Sequence, residues 1–520
     1  MRAGRHGFSR SKEGPLEFEP VIGFEVHAQL ATRTKIFCGC LNETGGPPNS
    51  RTCPVCLGLP GALPVLNETV VDSAVAVALA LGATVSGRSG FSRKNYFYPD
   101  LPKGYQITQF AEPVAAGGHL DVEVDGGVCR VGVRQVHIEE DAGKSVHAAV
   151  GASGASLIDM NRCGVPLVEI VTEPDIGSVD EADAFLVELR RVLIFLGVTS
   201  GEMHEGSLRF DTNVSVRARG SSELGTQTEI KNLNSFRAVR RALEYEIDRQ
   251  RRVMLEGGTV VHETLLWDEE SGRALPMRSK EGASDYRHFP EPDLVDFEID
   301  ASRLARVAES LPELPGAARR RLVADYAIPD YDASVLASDP ATLSLYEATA
   351  SAVLEYLGDD APPGTAKTVS NWVMVVLGGY LSERGLTLSE LAERTPAGAP
   401  GAGAPALARR VAEVIALRLR GDVSEPGARR LFESAMDSGA AVEELVEKLG
   451  LSAVTDEDEV RSHVREVLEE HADEAARYLA GASKLERFFI GLVLRRTGGA
   501  ADPELVARVL QQELEKGEAS

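Results

Sequence analysis

The chain has 520 residues, of which 43% are hydrophobic and 26% are charged, and its formal net charge is -24. A chain of this length exceeds what a single core can organise and predicts two to four domains. The acidic balance excludes a protein that is basic over its whole surface, so any nucleic acid has to bind at a local patch. The sequence has no run of about eighteen apolar residues, and with only six cysteines it predicts a cytoplasmic protein without a membrane span.

The first predicted elements are a polar tail and an alternating strand. Residues 1–18 are predicted to form a disordered N-terminal tail. The first residues are polar and basic, and they lack the apolar stretch that a signal peptide needs. The segment 21–30 alternates apolar and polar residues, as a half-buried strand does. Side chains two residues apart project from the same face of a strand, so Glu25, His27 and Gln29 are expected to point the same way.

Two close cysteine pairs follow this strand. Cys38 and Cys40 are separated by twelve residues from Cys53 and Cys56. This spacing is typical of a structural zinc site, in which four thiolates leave no open position for a substrate. The alternative is a set of four free, buried thiols.

A helix and an aromatic segment come next in the chain. Asn67 is predicted to cap a helix that contains residues 74–81 and stops at Gly82. Residues 94–106 then carry four aromatic side chains among prolines and lysines. Such rings either stack on a nucleotide base or anchor a long loop to the core, and the sequence leaves both interpretations open.

Three consecutive carboxylates end the following predicted strand. Residues 131–138 alternate as a strand and lead into Glu139, Glu140 and Asp141, with Lys144 close behind. Repulsion among carboxylates is unfavourable inside a sheet unless a cation neutralises it. Without such a cation, the run would be an ordinary solvated turn.

A third strand adds the residue types of a phosphate site. In residues 207–217, Arg209, Asp211 and Asn213 share one face, and Glu205 stands just before the strand. Carboxylate oxygens suit Mg²⁺, and a guanidinium suits phosphate oxygens. If these strands converge, the pattern predicts a site for phosphoryl chemistry.

Two longer helices belong to the same region. Asp180 is predicted to cap the first of them, and the second is predicted over about 235–256. The second helix directly follows strand residues 226–235, which include Lys231 and Asn232. A helix N-terminus at the end of a strand favours anions. The arginines on this helix fit a nucleic-acid face, and they fit an ordinary solvated helix at least as well.

The alternation of strands and helices predicts the architecture. The predicted class is α+β, with a largely antiparallel β cradle domain and flanking helices, followed by an all-α helical domain and an all-α tail domain. The predicted bounds are 1–18 for the N-terminal tail, 19–293 for the cradle domain, 294–394 for the helical domain, 395–405 for a flexible linker and 406–520 for the tail domain.

These segments, in this order, resemble one family, the GatB/GatE family of B subunits of aspartyl/glutamyl-tRNA amidotransferases. The similarity recurs from Val21 to Leu294 and continues more loosely through the helical region and the tail. The matching stretches are VIGFEVHAQL, the cysteine pairs with CLGLPGALPVLN, RKNYFYPDLPKGYQITQF, HIEEDAGKS, DMNRCGVPLVEIVTEPDI, EGSLRFDTNVS, TEIKNLNSFR, ALEYEIDRQ and MRSKEGASDYRHFPEPDL.

The resemblance implies an ATP-dependent ligase that uses Mg²⁺ and carries a structural Zn²⁺. It implies that the chain phosphorylates the side-chain carboxylate of misacylated Glu-tRNA(Gln) or Asp-tRNA(Asn), after which ammonia displaces phosphate. It also implies a heterotrimer with an amidase, the A subunit, and a small third chain, the C subunit, and a tail domain that contacts the tRNA. The sequence has neither a P-loop nor an amidase or glutaminase motif, so another chain has to supply the ammonia.

The resemblance also implies roles for individual residues. The implied Mg²⁺ ligands are Glu25, His27, Glu139, Glu140 and Glu205, and the implied Zn²⁺ ligands are Cys38, Cys40, Cys53 and Cys56. The implied catalytic residues are Glu25, His27, Glu140, Glu205 and Lys144, and those that bind ATP are Arg209, Asp211, Asn213, Lys231 and Asn232.

Some positions depart from the usual family pattern, and some questions stay open. The sequence does not decide between Glu-tRNA and Asp-tRNA as substrate, or how Glu139 and Glu140 divide the metal contacts. The alternatives are an ATP-dependent carboxylate–amine ligase with a non-tRNA substrate and a non-catalytic tRNA-binding scaffold. The departures are His204 in place of an acidic residue, Phe210 in place of cysteine, Thr212 in place of alanine, His288 in place of tyrosine and Leu492 in place of glutamine.

Overall fold

The computed structural model describes residues 17–147, 156–277, 286–395, 403–452, 457–479, 485–497 and 500–518. Residues 1–16 of the predicted N-terminal tail and 396–402 of the predicted linker lie outside the described residues, as do 278–285 of the last matching stretch. The chain divides into two compact units, Met1–Leu314 and Pro315–Ser520.

The first unit is built on strands with a few helices. Its helices are α1 (Glu68–Ala80), α2 (Val179–Phe195), α3 (Phe236–Leu255) and α4 (Ala301–Ser310). Its strands are β1 (Phe18–Gln29), β2 (Thr84–Val85), β3 (Arg88–Ser89), β4 (Ser92–Asn95), β5 (Tyr105–Thr108), β6 (Ala115–Ala116), β7 (His119–Val124), β8 (Gly127–Glu140), β9 (Lys144–His147), β10 (Ser156–Asp159), β11 (Pro166–Thr172), β12 (Leu208–Ala218), β13 (Thr228–Leu233), β14 (Thr264–Asp268), β15 (Arg273–Pro276), β16 (Phe289–Pro290) and β17 (Phe297–Glu298).

Thirteen of these strands form one sheet, whose main path runs β15-β14-β13-β12-β1-β11-β8-β5-β4-β16. Neighbouring strands on this path are antiparallel except for the parallel pair β13–β14. The long central strand β1 pairs with β11 on one side and with β12 on the other. The predicted α+β class with a largely antiparallel sheet is confirmed.

The two faces of the central sheet differ in polarity. On β1, Phe24, Val26 and Ala28 are buried in the hydrophobic core, where Phe24 stacks on Phe185 of α2 with ring centroids 6.1 Å apart. The intervening residues Glu25 and His27 lie on the opposite, partly open face. The alternation predicted from the sequence therefore places the polar set away from the helices.

Of the two predicted helix caps, one is confirmed and the other is wrong. Asn67 accepts from the Thr69 amide at 3.0 Å and caps α1, as predicted, and Ser235, which lies at the predicted start of α3, proves to be its cap. The prediction that Asp180 caps α2 is wrong, because the Ser178 hydroxyl accepts from the Glu181 amide at 3.1 Å. A serine in extended backbone satisfies a free N–H of the first turn, whereas Asp180 already lies inside that turn.

A buried carboxylate ties α3 to the sheet. Glu246 is fully buried and accepts from the Thr228 hydroxyl and from the Gln250 amide, both at 2.8 Å. The Arg249 Nε donates to its second oxygen at 2.8 Å. Glu246 is the acceptor that these donors share, although Gln250 also donates to the Val214 carbonyl at 3.1 Å and Arg249 also lies 3.6 Å from Glu263.

We expect Glu246→Ala to lower the free energy of unfolding by about 2–4 kcal/mol, because it removes the acceptor that two buried donors share and leaves Arg249 with only the more distant Glu263. Glu244→Ala is the matched control, since Glu244 lies on the same helix, is half exposed and pairs with Arg240 at 3.1 Å. Its expected effect is about 0.5 kcal/mol or less. Urea unfolding measures both, and equal losses would show that the buried network contributes nothing beyond a surface ion pair.

The second unit is helical. Helices α7 (Pro340–Leu357) and α11 (Ala404–Arg420) pack against each other, and the π-helical segment Trp372–Leu377 connects α8 (Thr365–Asn371) with α9 (Gly378–Arg384). Its helices are α5 (Pro315–Tyr326), α6 (Asp330–Leu336), α7 (Pro340–Leu357), α8 (Thr365–Asn371), α9 (Gly378–Arg384), α10 (Leu388–Arg394), α11 (Ala404–Arg420), α12 (Glu425–Ser438), α13 (Val442–Leu449), α14 (Glu457–Glu470), α15 (Ala472–Leu479), α16 (Leu485–Arg496) and α17 (Pro503–Glu518), with a 3-10 turn at Gly358–Asp360.

The last four helices share a core of their own. Val460 and Val464 of α14 pack with Phe489 of α16 and with Val506 and Val509 of α17, and all five are fully buried. Among the described residues, no helix combines the length and the apolar character that crossing a membrane requires. The domain bounds predicted from the sequence stay a prediction. Helix α4 packs against α1 in the first unit, and α11 begins inside the span predicted as a linker.

Candidate active site on the polar face of the sheet

The polar face of the sheet collects side chains from strands that are far apart in sequence. On β1, Glu25 lies opposite Asp211 of β12, and His27 lies between Arg209 of β12 and Glu169 of β11. Each of these positions alternates with a buried apolar neighbour, so their side chains share one face. Cross-strand register therefore builds the site.

His27, Glu139 and Glu169 form a close group on this face. The His27 Nε2 lies 3.5 Å from the nearer oxygen of Glu139 and 3.7 Å from that of Glu169. All three potential ligand atoms lie within 4.8 Å of one another. Two carboxylates and an imidazole nitrogen around a common point are a donor set that suits a divalent cation.

The electrostatics of this group favour a cation as well. Burial raises the pKa of Glu169, and the neighbouring Glu139 raises it further. Burial likewise raises the pKa of Glu139 above its usual range. Burial, with Arg209 as the next cause, lowers the pKa of His27 to about 3, so its imidazole is neutral and has a lone pair to donate. A cation would relieve the repulsion between the two carboxylates.

Arg209 lies at the edge of this group, and one of its N–H donors has no acceptor among the described residues. Its Nη2 donates to Asp141 at 2.8 Å, and the Gln29 amide donates to the same carboxylate oxygen at 3.1 Å. The Arg209 Nε is buried and has no hydrogen-bond partner among the described residues. A buried donor without a partner is costly, and an anionic ligand such as phosphate would satisfy it.

A second carboxylate group is already neutralised by a lysine. The ligand oxygens of Glu25, Asp211 and Glu229 lie within 4.8 Å of one another. Lys231 donates to Asp211 at 2.8 Å and lies 2.7 Å from Glu229. Burial alone would lower the pKa of Lys231, but these two carboxylates outweigh it and raise the pKa. The ammonium thus supplies the positive charge that this group needs.

Glu139 and Glu140 point to opposite faces of β8, as adjacent strand residues do. The carboxylate of Glu140 forms an ion pair with Lys103 and accepts from the Ile107 amide at 2.9 Å. It lines a cavity of about 200 Å³ together with Cys56 and Tyr105. Of these two glutamates, only Glu139 therefore faces His27. A metal-binding role for Glu140 stays a prediction.

Three other residues that were predicted to belong to the site are not part of the group of His27, Glu139 and Glu169 in the described structure. Glu205 lies in the turn before β12, half exposed, with His204 at 4.0 Å. Lys144 is exposed on β9. Asn232 has a positive φ of 67°, and its amide donates to the Trp267 carbonyl at 3.0 Å. Their predicted roles in catalysis, metal binding and ATP binding stay predictions.

The four cysteines of the paired motif converge. Their sulfur atoms lie within 4.8 Å of one another, and none of them is in a disulfide. The sulfurs of Cys53 and Cys56 are 3.9 Å apart, close to the spacing of about 3.8 Å that zinc–sulfur bonds of about 2.3 Å impose in a tetrahedron. A hydrogen bond with Cys38, then the Cys53 amide and Lys35, lower the pKa of Cys56. These residues fit a structural zinc ion.

The aromatic segment beside β4 was predicted either to anchor a loop or to stack on a nucleotide base, and its rings differ in exposure. Tyr96 is partly buried and donates to Gln106 at 3.1 Å, which anchors the loop. Phe97 is 83% exposed, so its ring is accessible to a ligand. The Lys94 ammonium lies 5.0 Å from the ring of Tyr286. Tyr96 thus anchors the loop, and stacking of Phe97 on a nucleotide base stays a prediction.

Sequence reasoning missed Glu169 and Glu229 and did not single out Lys94. Glu169 is the lone carboxylate in the apolar strand Pro166–Thr172, and a charged residue in such a setting is a usable signal. Lys94 acts on the group through its charge, since it opposes the burial that raises the pKa of Glu139. Its position beside the site depends on strand order, which the sequence does not show.

Comparison with known proteins gives a consistent picture. Residues 20–305 match the profile described as the GatB/GatE catalytic domain, and residues 355–514 match that described as the GatB domain. The chain is 44% identical over 501 residues to the B subunit of the aspartyl/glutamyl-tRNA(Asn/Gln) amidotransferase of Thermoanaerobacter sp. (strain X514), an alignment that covers 96% of the chain and 100% of that protein. It is 42% identical to the B subunit of the same enzyme from Persephonella marina, covering 96% and 99%, and 44% identical to that from Thermosynechococcus vestitus, covering 96% and 97%.

Proposed function

The chain belongs to the GatB/GatE family, and on that premise we propose that it is the B subunit of a tRNA-dependent amidotransferase that converts Glu-tRNA(Gln), Asp-tRNA(Asn) or both. The observation that carries the proposal is the convergence of His27, Glu139 and Glu169 beside the Arg209 Nε, which has no hydrogen-bond partner among the described residues. A cation-binding group next to an anion-binding donor is the minimum that a phosphoryl-transfer site requires.

The proposed reaction has two steps. An oxygen of the esterified amino acid's side-chain carboxylate attacks the γ-phosphorus of ATP, the bond to the bridging oxygen breaks, and ADP leaves. Ammonia then attacks the carbonyl carbon of the acyl phosphate, the carbon–oxygen bond to phosphate breaks, and an amide forms with loss of a proton. Phosphorylation is needed because oxide or hydroxide is a poor leaving group from a carboxylate.

The residues of the polar face divide this work. His27, Glu139 and Glu169 would hold a divalent cation such as Mg²⁺, which supplies neutralisation of the phosphate charge. Arg209, oriented by Asp141, offers its guanidinium to phosphoryl oxygens. The two cations Arg209 and Lys94 flank the group, so the anionic substrates meet positive charge there.

Two further parts of the proposal concern partners and zinc. The ammonia comes from an amidase, the A subunit, which assembles with this chain and with a small C subunit. The four converging cysteines bind a structural zinc ion, supported by the sulfur spacing and by the absence of disulfides among them.

The direct test supplies ammonium chloride as nitrogen donor, so that no amidase is needed. Purified chain, ATP, Mg²⁺ and misacylated Glu-tRNA(Gln) or Asp-tRNA(Asn) are expected to yield the amidated aminoacyl-tRNA and ADP. Turnover with free glutamate or aspartate in place of the tRNA would instead indicate a carboxylate–amine ligase. Binding of tRNA without any ATP turnover would indicate a scaffold.

The last four helices offer a separable test of tRNA contact, because they have a core of their own. Deleting everything after Ser452 is expected to raise the KM for tRNA about tenfold, which corresponds to about 1.4 kcal/mol of binding. The kcat should be retained, because the contact is made equally before and during the reaction. Steady-state kinetics measure both constants, and an unchanged KM would contradict a tRNA-contacting tail.

A further inference from the structure

Lys35 is a completely buried lysine next to the cysteine group. Its side chain has a relative exposure of 0%, and its ammonium donates to the Arg51 carbonyl at 2.8 Å. The Cys56 sulfur is 3.8 Å from the same nitrogen. In the part of the chain that the structure describes, no carboxylate lies within the 4.0 Å that defines an ion pair with this ammonium.

Among the described residues, this buried ammonium therefore has no carboxylate in direct contact with it. An ammonium has three donors, and burying it without a counter-charge costs several kcal/mol. The Arg51 carbonyl satisfies one donor and carries no net charge, and a neutral thiol is only a weak acceptor. The arrangement becomes favourable if Cys56 is a thiolate.

A tetrathiolate zinc centre would provide that charge. Four thiolates around one Zn²⁺ have a net charge of minus two, because a thiolate is the ligand form of cysteine. We propose that Lys35 is the counter-charge of such a centre, and that its ammonium increases the affinity of the four cysteines for zinc. This inference rests on the zinc site proposed above and is independent of the tRNA chemistry.

The backbone around Lys35 fits this role, because it connects both cysteine pairs. Its amide donates to the Cys40 carbonyl at 3.0 Å, and its ammonium reaches the carbonyl of Arg51, two residues before Cys53. If Lys35 had only a structural role, it would act by holding the loop between the two cysteine pairs in place. Arg51 also stabilises that loop, since its Nη1 donates to the carbonyls of Glu43 and Gly45 at 2.6 and 2.9 Å.

The test compares two variants of the full chain. Lys35→Met keeps the length and apolar stem of the side chain and removes the charge. Arg51→Ala loosens the loop and leaves the ammonium in place. Zinc affinity is measured by competition with a chromophoric chelator, and the expected loss for Lys35→Met is about 10–100-fold, as for other groups that support metal ligands.

Cobalt substitution separates charge from structure. An ammonium beside a thiolate stabilises the sulfur donor orbital, so its removal is expected to shift the sulfur-to-Co²⁺ charge-transfer band to longer wavelength in Lys35→Met. Arg51→Ala should leave the band in place even if it weakens binding. Circular dichroism checks that both variants are folded, and Lys367→Met, at a lysine paired with Asp332, controls for loss of one lysine.

Each outcome decides the question. Reduced affinity together with the band shift, seen only in Lys35→Met, supports the proposal. Unchanged affinity in folded Lys35→Met, or equal losses in both variants without a band shift, overturns it while the zinc site itself stands. A wild-type chain that binds no zinc overturns both. None of these measurements uses tRNA or ATP, so they are distinguishable from a failure of the amidotransferase assignment.

Discussion

Glu139→Gln and Glu169→Gln are each expected to reduce ATP-dependent amidation of misacylated tRNA about a thousandfold. Neutralising charge at a transferring phosphoryl group is worth several kcal/mol, and about 1.4 kcal/mol corresponds to a factor of ten in rate. Each substitution removes one of the two carboxylates that face His27 and leaves a donor set too weak in charge to hold a divalent cation.

Glutamine preserves the size of the side chain, so the fold should survive both changes. Burial raises the pKa of Glu169. The charge of Glu139 raises it further, because the two carboxylates repel each other. Removing one charge relieves this repulsion, and thermal unfolding of either variant without metal is expected at or above the wild-type Tm. Lost activity combined with retained stability is the signature of a functional, destabilising site.

The matched control is Glu173→Gln, at a half-exposed carboxylate just beyond β11 that pairs with Arg134 at 2.8 Å. It should leave activity and stability close to wild type. Single-turnover release of phosphate with ammonium as donor measures the chemistry, and filter binding shows whether tRNA still binds. Wild-type rates in both the Glu139 and Glu169 variants would rule out a cation site at His27.

Cys53→Ser is expected to release most of the bound zinc and to lower the Tm of the chain by about 5–10 °C. Structural zinc contributes about 10–16 kcal/mol in isolated zinc-finger peptides. Here the surrounding core supports part of the segment, so a loss on the order of 5 kcal/mol is expected. The hydroxyl of serine is a much weaker zinc ligand than a thiolate, and three thiolates remain to repel one another.

Metal analysis and thermal unfolding check this prediction, with Cys129→Ser as the control. Cys129 lies on β8, outside the group of four cysteines, and its replacement should leave the zinc content unchanged. A strong chelator should reproduce the effect of Cys53→Ser on the wild-type chain. Wild-type protein that contains no zinc, or Cys53→Ser that keeps its full stability after losing zinc, would contradict a structural site.

Much of the local structure could be predicted from the sequence. The cap at Asn67, the start of α3 near Ser235 and the alternation of β1 follow from interactions within a few residues, and the structure contains them. The convergence of the four cysteines also follows from spacing along a short segment. The one wrong cap, Asp180 for Ser178, is a shift of two residues between side chains that can both accept from a free N–H.

The composition of the site could be predicted only in part. Glu25, His27, Glu139 and Arg209 were recognisable as polar residues of alternating strands, but Glu169 was not, because β11 is an apolar strand. Its place beside His27 depends on the antiparallel register of two strands about 140 residues apart. A shift of that register by one residue would turn Glu169 to the opposite face.

By itself, therefore, the sequence determined which side chains share the face of a strand, where α1 and α3 begin and which cysteines form a group. The reason is that these features depend on dihedral preferences and hydrogen bonds between near neighbours. Only the tertiary structure decided that Glu139 and not Glu140 faces His27, that Lys231 neutralises Asp211 and Glu229, and that Lys35 lies buried beside Cys56. Those pairings arise from strand order, register and packing between distant segments, which no local pattern encodes.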